Sequence, residues 1–357
     1  MTYLTVTDLT KSYNGNPVLN GVNLTVGKGE FVSLLGPSGC GKTTILRLLA
    51  GFTDADNGQV TLDGEHIEGL ASYKRDIGFV FQDYALFPHL DVSQNVAFGL
   101  ARRKVPKDEI RERVERILEV VQLTPMARRD TSQLSGGQRQ RVALARAMVV
   151  NPRLLLLDES LSALDKKMRV DMQVELREIQ QSLGITTIFV THDQEEAMTM
   201  SDRIAVMRTG QIAQLGTPTE IYHQPTNGYV ARAVGDINLL EGVVKGPSER
   251  GLKVALAEGV EITVRTGSHL ARNDKITIGI RPQDVSIQRQ QTGEALRARI
   301  SYLSFAGTTW NVGVEALGQL VKVQTSGNGE ALQGVSAGDE VWLNWAPGSV
   351  HLLGETD

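Results

Sequence analysis

The chain has 357 residues, 41% hydrophobic and 22% charged, which is ordinary for a soluble globular protein and enough for roughly two domains with separate cores. Its 37 Lys and Arg against 41 Asp and Glu leave a net charge of -4 with no long basic run, which argues against a nucleic-acid-binding face. One cysteine excludes an internal disulfide framework, and no apolar run approaches the ~20 residues that span a bilayer.

The start of the chain, Met1 to Thr5, lacks the basic opening of a signal peptide, so the expectation is a cytosolic chain whose membrane role runs through partners. Residues 2–35 read as short strands, 4–6 and 22–26, broken at the turn Asn14 to Pro17 and again at Gly27 to Gly29. Tyr13 precedes the first turn. An exposed aromatic there can stack on a purine ring, although the spacing alone favours a half-buried strand residue.

The apolar run Phe31 to Leu35 then leads into Gly36-Pro-Ser-Gly-Cys-Gly-Lys42-Thr43 and a helical pattern to Ala50, the strand, loop and helix order of a P-loop. Gly36, Gly39 and Gly41 open backbone angles closed to other residues, so successive N–H groups can turn inward on an anion at the helix N-terminus. Lys42 reaches the β- and γ-phosphates as a point charge, and the Thr43 hydroxyl suits Mg²⁺. Cys40 lies inside this loop, beside Lys42 and the helix start, a position that favours the thiolate, with a packed and inert cysteine as the alternative.

After a stop at Gly51, residues 58–62 give another strand with a tight turn, and Ile77 to Phe81 is a buried-type strand that delivers Gln82. The aromatic segment Tyr84 to His89 reads as either core or a partner surface. From Pro106, apolar residues at three- and four-residue spacings predict an amphipathic helix to Val121. Leu134-Ser135-Gly136-Gly137-Gln138 opens a further predicted helix, Arg139 to Val150, and forms a second natural anion site. A helix-capping serine accounts for Ser135 but not for the two glycines and the glutamine. One nucleotide cannot normally fill both cradles of one chain.

The apolar strand Leu154 to Leu157 ends in Asp158-Glu159, at the carboxyl end where open α/β sheets place ligands. Asp158 suits Mg²⁺, directly or through water, and Glu159 suits orienting or deprotonating an attacking water. A charged helix follows from about Asp165 to Ser182, then the strand Thr186 to Thr191, which delivers His192 within reach of a γ-phosphate or water. A short helix over 194–200, strands over 204–207 and 211–215, and a helix begun by Thr217-Pro218 close the first region. From about Asp236 the texture changes to short alternating strands with turns between them, the pattern of a small all-β barrel, and all three tryptophans lie there.

With these motifs in this order, residues 1–235 resemble the nucleotide-binding subunit of ABC transporters. The resemblance implies an α/β P-loop ATPase domain with a RecA-like core and a helical subdomain over about 84–150. Residues 236–357 are similar to the all-β, OB-like regulatory domains of importer ATPases, and Gly279 to Val285 looks like a recurring segment of those domains. It further implies that ATP and Mg²⁺ are the cofactors, that Tyr13 stacks on adenine, and that Ser38, Gly39, Cys40, Gly41 and Thr44 share the phosphate contacts. By the same resemblance Gln82 contacts Mg²⁺ and the attacking water while sensing a membrane partner, and Ser135, Gly136, Gly137, Gln138 and Asp165 contact nucleotide, the signature binding the γ-phosphate held by an opposite subunit. Two copies then sandwich two ATP molecules head to tail at the cytoplasmic face of the inner membrane, beneath two permease subunits served by a solute-binding protein, with no nucleic acid involved.

The segments Tyr84 to His89, His192 to Met198 and Gly235 to Asn238 look most like the spermidine/putrescine importer group, although importers of iron(III), aminoethylphosphonate and sugars share much of the pattern. Ser160 departs from it, because such ATPases commonly carry proline after the glutamate; the change puts loop rigidity rather than chemistry in question. A soluble ABC ATPase of DNA repair or translation is the rival, opposed by the acidic balance and the appended β region. The Tyr84 to His89 segment is expected to dock the membrane subunit.

Overall fold

The computed structural model describes residues 2–162, 164–248, 251–257, 260–264, 270–293, 295–327, 332–346 and 348–353. The chain divides into two compact units, Met1–Pro218 and Thr219–Asp357. Among the described residues no helix is long and apolar enough to cross a membrane.

The first unit begins with a long hairpin, β1 (Thr2–Tyr13) and β2 (Asn16–Gly27), closed by Asn14 and Gly15, both at positive φ. Both strands outrun the predicted segments, because shifts of register absorb the breaks in alternation, one of them around Asp8 at φ 49°. With β4 (Asn57–Leu62) and β5 (Glu65–His66) the hairpin forms an antiparallel sheet in the order β2-β1-β4-β5.

The second sheet has six strands, β10-β9-β3-β8-β7-β6: β3 (Phe31–Leu35), β6 (Ile77–Val80), β7 (Leu154–Asp158), β8 (Thr186–Thr191), β9 (Arg203–Arg208) and β10 (Gln211–Gly216). All neighbours run parallel except the edge pair β9 and β10. Because both faces are covered, its central strands β3 and β8 are buried along their whole length, and successive residues serve opposite cores. Leu154, Leu156, Ile188 and Val190 pack with α1 (Lys42–Ala50) and the antiparallel sheet. Leu155, Leu157 and Phe189 pack with the helical side of the unit.

That side is built from α2 (Val92–Arg102), α3 (Lys107–Val120), α4 (Gly136–Met148) and α5 (Lys166–Leu183). Asp91 caps α2 in a capping box with Gln94, and α3 buries Val114, Ile117 and Leu118, the stripe its spacing predicts. The short α6 (Gln194–Met200) follows β8 and is capped by Asp193.

The second unit holds two five-stranded sheets that share one apolar core. One has the order β13-β12-β11-β14-β20, from β11 (Asn238–Ser248), β12 (Gly251–Ala255), β13 (Glu261–Val264), β14 (Lys275–Ile280) and β20 (Val350–Leu353). The other, β15-β19-β16-β17-β18, is made of β15 (Val285–Gln288), β16 (Leu296–Phe305), β17 (Thr309–Ala316), β18 (Gln319–Ser326) and β19 (Glu340–Trp345).

The structural division at Pro218 differs from the expected boundary at 235. Residues 219–235, including most of α7 (Pro218–His223) and all of α8 (Gly228–Ala233), group with the β unit. Arg281 supplies the reason. Its buried guanidinium donates to the carbonyls of Tyr222, Ala231, Gly235 and Asp236, which ties both short helices to the end of β14.

Candidate functional site

The phosphate loop leaves β3 at Leu35, an interior strand, and re-enters regular structure at Lys42, the first residue of α1. Its glycines answer to space and to backbone angle. A Cβ on Gly36 would stand 2.6 Å from the Met207 carbonyl oxygen, and Gly41, which caps α1, has a φ of 103°. Lys42 is buried, and its Nζ donates to the carbonyls of Gly36 at 2.7 Å and Pro37 at 2.9 Å. Ser38 and Gly39 face solvent, while Thr43 and Thr44 are half-buried in the first turn of α1.

Cys40 departs from expectation. It is buried, and that burial pushes its thiol above the ordinary range, outweighing the opposite pull of Lys42. Burial therefore disfavours the thiolate that its position by a helix end suggested.

Parallel pairing aligns β6, β7 and β8 so that their carboxyl ends deliver Gln82, Asp158, Glu159 and His192 to one edge of the sheet. The Thr43 hydroxyl donates to Asp158 Oδ1 at 3.0 Å, which joins this edge to the phosphate loop. Burial raises the Asp158 carboxyl; the Thr43 hydrogen bond opposes that, the Glu159 charge adds to it, and Arg47 and Lys42 oppose it more weakly. Glu159 stands between two partners, with Gln82 Nε2 donating to Oε2 at 3.3 Å and His192 Nδ1 3.4 Å from Oε1. Its φ is 45°, a backbone conformation that costs a non-glycine residue about 1–3 kcal/mol and that concentrates at functional sites. The turn is closed by the Ser162 hydroxyl donating to Glu159 O at 2.8 Å. Ser160 is fully buried, and its hydroxyl has no hydrogen-bond partner among the described residues.

The second cradle is also corrected in detail. Helix α4 starts at Gly136, three residues earlier than predicted, with Ser135 as its cap. Gln138 N donates to Ser135 Oγ at 3.4 Å, and Ser135 N donates to Gln138 Oε1 at 2.9 Å. The glutamine therefore does have a capping role, as third residue of a capping box. A Cβ on Gly137 would lie 2.9 Å from Met168 Sδ of α5, a flexible side chain that would have to shift. Asp165 caps α5 by accepting from Met168 N at 3.0 Å.

The structure thus brings Thr43, Gln82, Asp158, Glu159 and His192 together. Among the described residues, Ser135, Gly136, Gly137, Gln138 and Asp165 make no hydrogen bond or ion pair to that set. Tyr13 is 43% exposed at the end of β1, with Lys11 Nζ 5.5 Å from its ring centroid, and stands open to a stacking partner.

Residues with no sequence motif complete the picture. Fully buried Asn95 accepts from Phe87 N at 2.8 Å and donates to the carbonyls of Phe87, Leu90 and Asp91, fixing the loop that follows Gln82. Arg146 of α4 holds the carbonyls of Tyr84 and Ala85 in that loop. Arg169 reaches from α5 to Asp193, at 3.1 Å, directly after His192. Phe79 and Phe81, 4.4 Å apart, cluster with Phe52 just before Gln82, and Phe52 is 50% exposed. Only the alternation of phenylalanines through 77–81 hinted at that cluster; no local pattern marks a buried asparagine as a loop anchor.

The ABC transporter family matches residues 19–162, and the TOBE domain family matches residues 278–353. The spermidine/putrescine import ATP-binding protein PotA of Haemophilus influenzae (strain Rd) is 46% identical over 353 residues, covering 97% of this chain and 95% of that protein. PotA of Hahella chejuensis is 43% identical over 359 residues, covering 98% and 97%. Among solved structures, cbiO1 of Clostridium perfringens, part of the ABC transporter complex cbiONQ, superposes with a TM-score of 0.59 at 34% identity over 66% of this chain and 95% of that one. A dimeric post-hydrolysis state of the ATP-binding cassette MJ0796 bound to ADP and Pi gives 0.54 at 33% identity over 60% and 98%.

Proposed function

The chain belongs to the family of ABC transporter ATP-binding proteins, and from that premise we propose that it powers import of a polyamine by hydrolysing ATP. The observation that carries the reading is likeness over nearly the whole chain, 97% of it, to a spermidine/putrescine import ATP-binding protein. The convergence of Gln82, Glu159 and His192 on one edge of the sheet supports the hydrolytic part.

In this reading the loop N–H groups from Ser38 to Thr44, including that of Cys40, bind the phosphates with Lys42, and Tyr13 stacks on the adenine. The Thr43 hydroxyl and Asp158 carboxylate, hard oxygen donors 3.0 Å apart, together with Gln82, fit Mg²⁺. Bound there, Mg²⁺ supplies charge neutralisation at the phosphates. Burial disfavours the Asp158 charge, which a cation beside it would offset. Glu159 orients or deprotonates the attacking water, Gln82 and His192 hold its two oxygens, and His192 also reaches the γ-phosphate.

Ser135 to Gln138 and Asp165 serve the nucleotide of a second copy. A homodimer then encloses two ATP molecules, closure drives the transport step, and hydrolysis reopens it. Two permease subunits, fed by a solute-binding protein, carry the cargo at the cytoplasmic face of the inner membrane. The segment from Tyr84 to His89, whose aromatics follow Gln82, docks them, and the β unit regulates.

The test is reconstitution of the chain with its permease in vesicles. Spermidine uptake is expected to depend on ATP and to fall at least about 100-fold with Glu159→Gln while ATP binding is kept. Uptake of iron(III), a phosphonate or a sugar in place of polyamine would overturn the cargo, and near wild-type hydrolysis by Glu159→Gln would overturn the site.

A further inference from the structure

The loop between Gln82 and α2 has a shape that its own residues disfavour. Tyr84 and Ala85 sit consecutively at φ 63° and 43°, in the left-handed region, and neither is glycine. Tyr84 N donates to Phe81 O at 2.9 Å, so Gln82 lies inside the turn that Tyr84 closes. Neither residue belongs to a strand or helix, so no ladder of its own takes up its carbonyl.

Those carbonyls are met from α4. Arg146 Nη2 donates to Tyr84 O at 2.8 Å and Nη1 to Ala85 O at 2.7 Å, and the guanidinium stands 5.3 Å from the Phe87 ring centroid. A planar fork can hold two acceptors at once in a fixed geometry, whereas an ammonium acts as a point donor. The helix that presents this fork begins at Gly136 with Ser135 as its cap. Arg146 stands eleven positions beyond Ser135, about 16 Å of stiff helix at 1.5 Å per residue.

We propose that Arg146 is a positioning residue that fastens the Gln82 turn to α4, so that the glutamine of one nucleotide site and the signature serine offered to the other move as one body. The proposal rests on the roles given above to Gln82 and Ser135. It adds the strut between them, which Asn95 cannot be, because Asn95 lies in α2 and grips only the later part of the loop, from Phe87 to Asp91.

The experiment measures backbone hydrogen exchange and steady-state ATPase on the full chain, with Arg146→Met, Arg146→Lys and, as a control, Arg141→Met. Arg141 also belongs to α4 but pairs with Glu175 of α5, so its loss weakens the helix contact without touching the loop. In the wild type, Mg²⁺ with the non-hydrolysable analogue AMP-PNP is expected to slow exchange in the 82–91 loop and at 135–138 together. In Arg146→Met the 82–91 amides should exchange at least tenfold faster and no longer respond to the analogue, while 135–138 still do. The ATPase kcat should fall about tenfold with KM for ATP within about twofold, and Arg146→Lys should recover less than half of that loss. Three results would each overturn the strut: unchanged loop exchange in Arg146→Met, full rescue by lysine, or the same uncoupling in Arg141→Met. Loop exchange without nucleotide is independent of the catalytic assignment, so an active Glu159→Gln enzyme would overturn that assignment alone.

Discussion

Two glycine-rich turns in this chain open helices, α1 and α4, and they are finished in opposite ways. At α1 the cap is Gly41, which offers no side-chain acceptor, so the first-turn N–H groups have no side chain bonded to them. A buried lysine lies in the same turn, and Thr43 ties the loop to the Asp158 carboxylate. At α4 the cap is Ser135, already engaged with Gln138 in a reciprocal box, exposed, and without a bond to the strand-end carboxylates among the described residues. One cradle has its cation and its carboxylates in its own chain; the other has only a backbone and a hydroxyl to offer. A cradle so incomplete makes chemical sense when the phosphate and its counter-charges arrive with a second copy.

The largest expected effect breaks the comparison outright. Lys42→Ala and Ser135→Arg should each abolish most ATPase activity as homodimers, at least about 100-fold. Mixed, they should regain activity, because each heterodimer contains one intact pairing of first and second cradle. The check is ATPase of a verified heterodimer carrying distinct tags on its two chains; activity no higher than either parent would mean that both cradles serve one nucleotide in cis.

A pair of alanine substitutions sharpens the contrast at smaller cost. In Gly36→Ala the new Cβ would stand 2.6 Å from the Met207 carbonyl oxygen and 2.9 Å from Cys40 Sγ, so backbone must move, at about 1–3 kcal/mol. In Gly136→Ala its nearest neighbour is Leu164 Cδ2 at 3.4 Å, an ordinary contact, and alanine in a helix gains up to about 1 kcal/mol over glycine. Urea unfolding should therefore show Gly36→Ala destabilised and Gly136→Ala unchanged or slightly stabilised, with ATPase lowered in both. Loss of stability in Gly136→Ala would show that the second cradle is shaped by its own chain's packing.

The same contrast explains what was legible beforehand. The P-loop and the strand-end residues Asp158, Glu159 and His192 were readable because they hang on short-range patterns: an apolar strand, then a chemically distinctive residue at its end. Parallel neighbours then bring those ends together without further instruction. The capping role of Gln138 is not legible in the sequence, since it needs the helix to start at Gly136, and two glycines mask a helix start. Arg146 and Asn95 were invisible, because their partners are main-chain carbonyls that any residue would present. The placing of residues 222–236 with the β unit is hidden for a similar reason, because Arg281 holds them through carbonyls alone.

The smallest effect concerns the one thiol, which lies in the first cradle. A cysteine beside a helix N-terminus and a lysine is expected to be acidic, yet burial is the leading influence on Cys40 and raises its pKa. The sign follows directly. A raised pKa leaves less thiolate at any given pH than the unfolded chain has, so the folded protein should react more slowly with a maleimide than the same chain in denaturant. The folded rate should keep climbing with pH beyond the ordinary thiol range near 8.5, where the unfolded rate levels off. Cys40→Ala should keep ATPase within about twofold, because the loop meets phosphate through backbone N–H groups and the buried sulfur acts as a small apolar filler. Mass spectrometry of the full chain across a pH series reads both rates. A folded chain that reacts faster than the unfolded one at neutral pH would mean that the helix end and Lys42 outweigh burial, and that the thiol belongs to the phosphate site rather than to the core behind it.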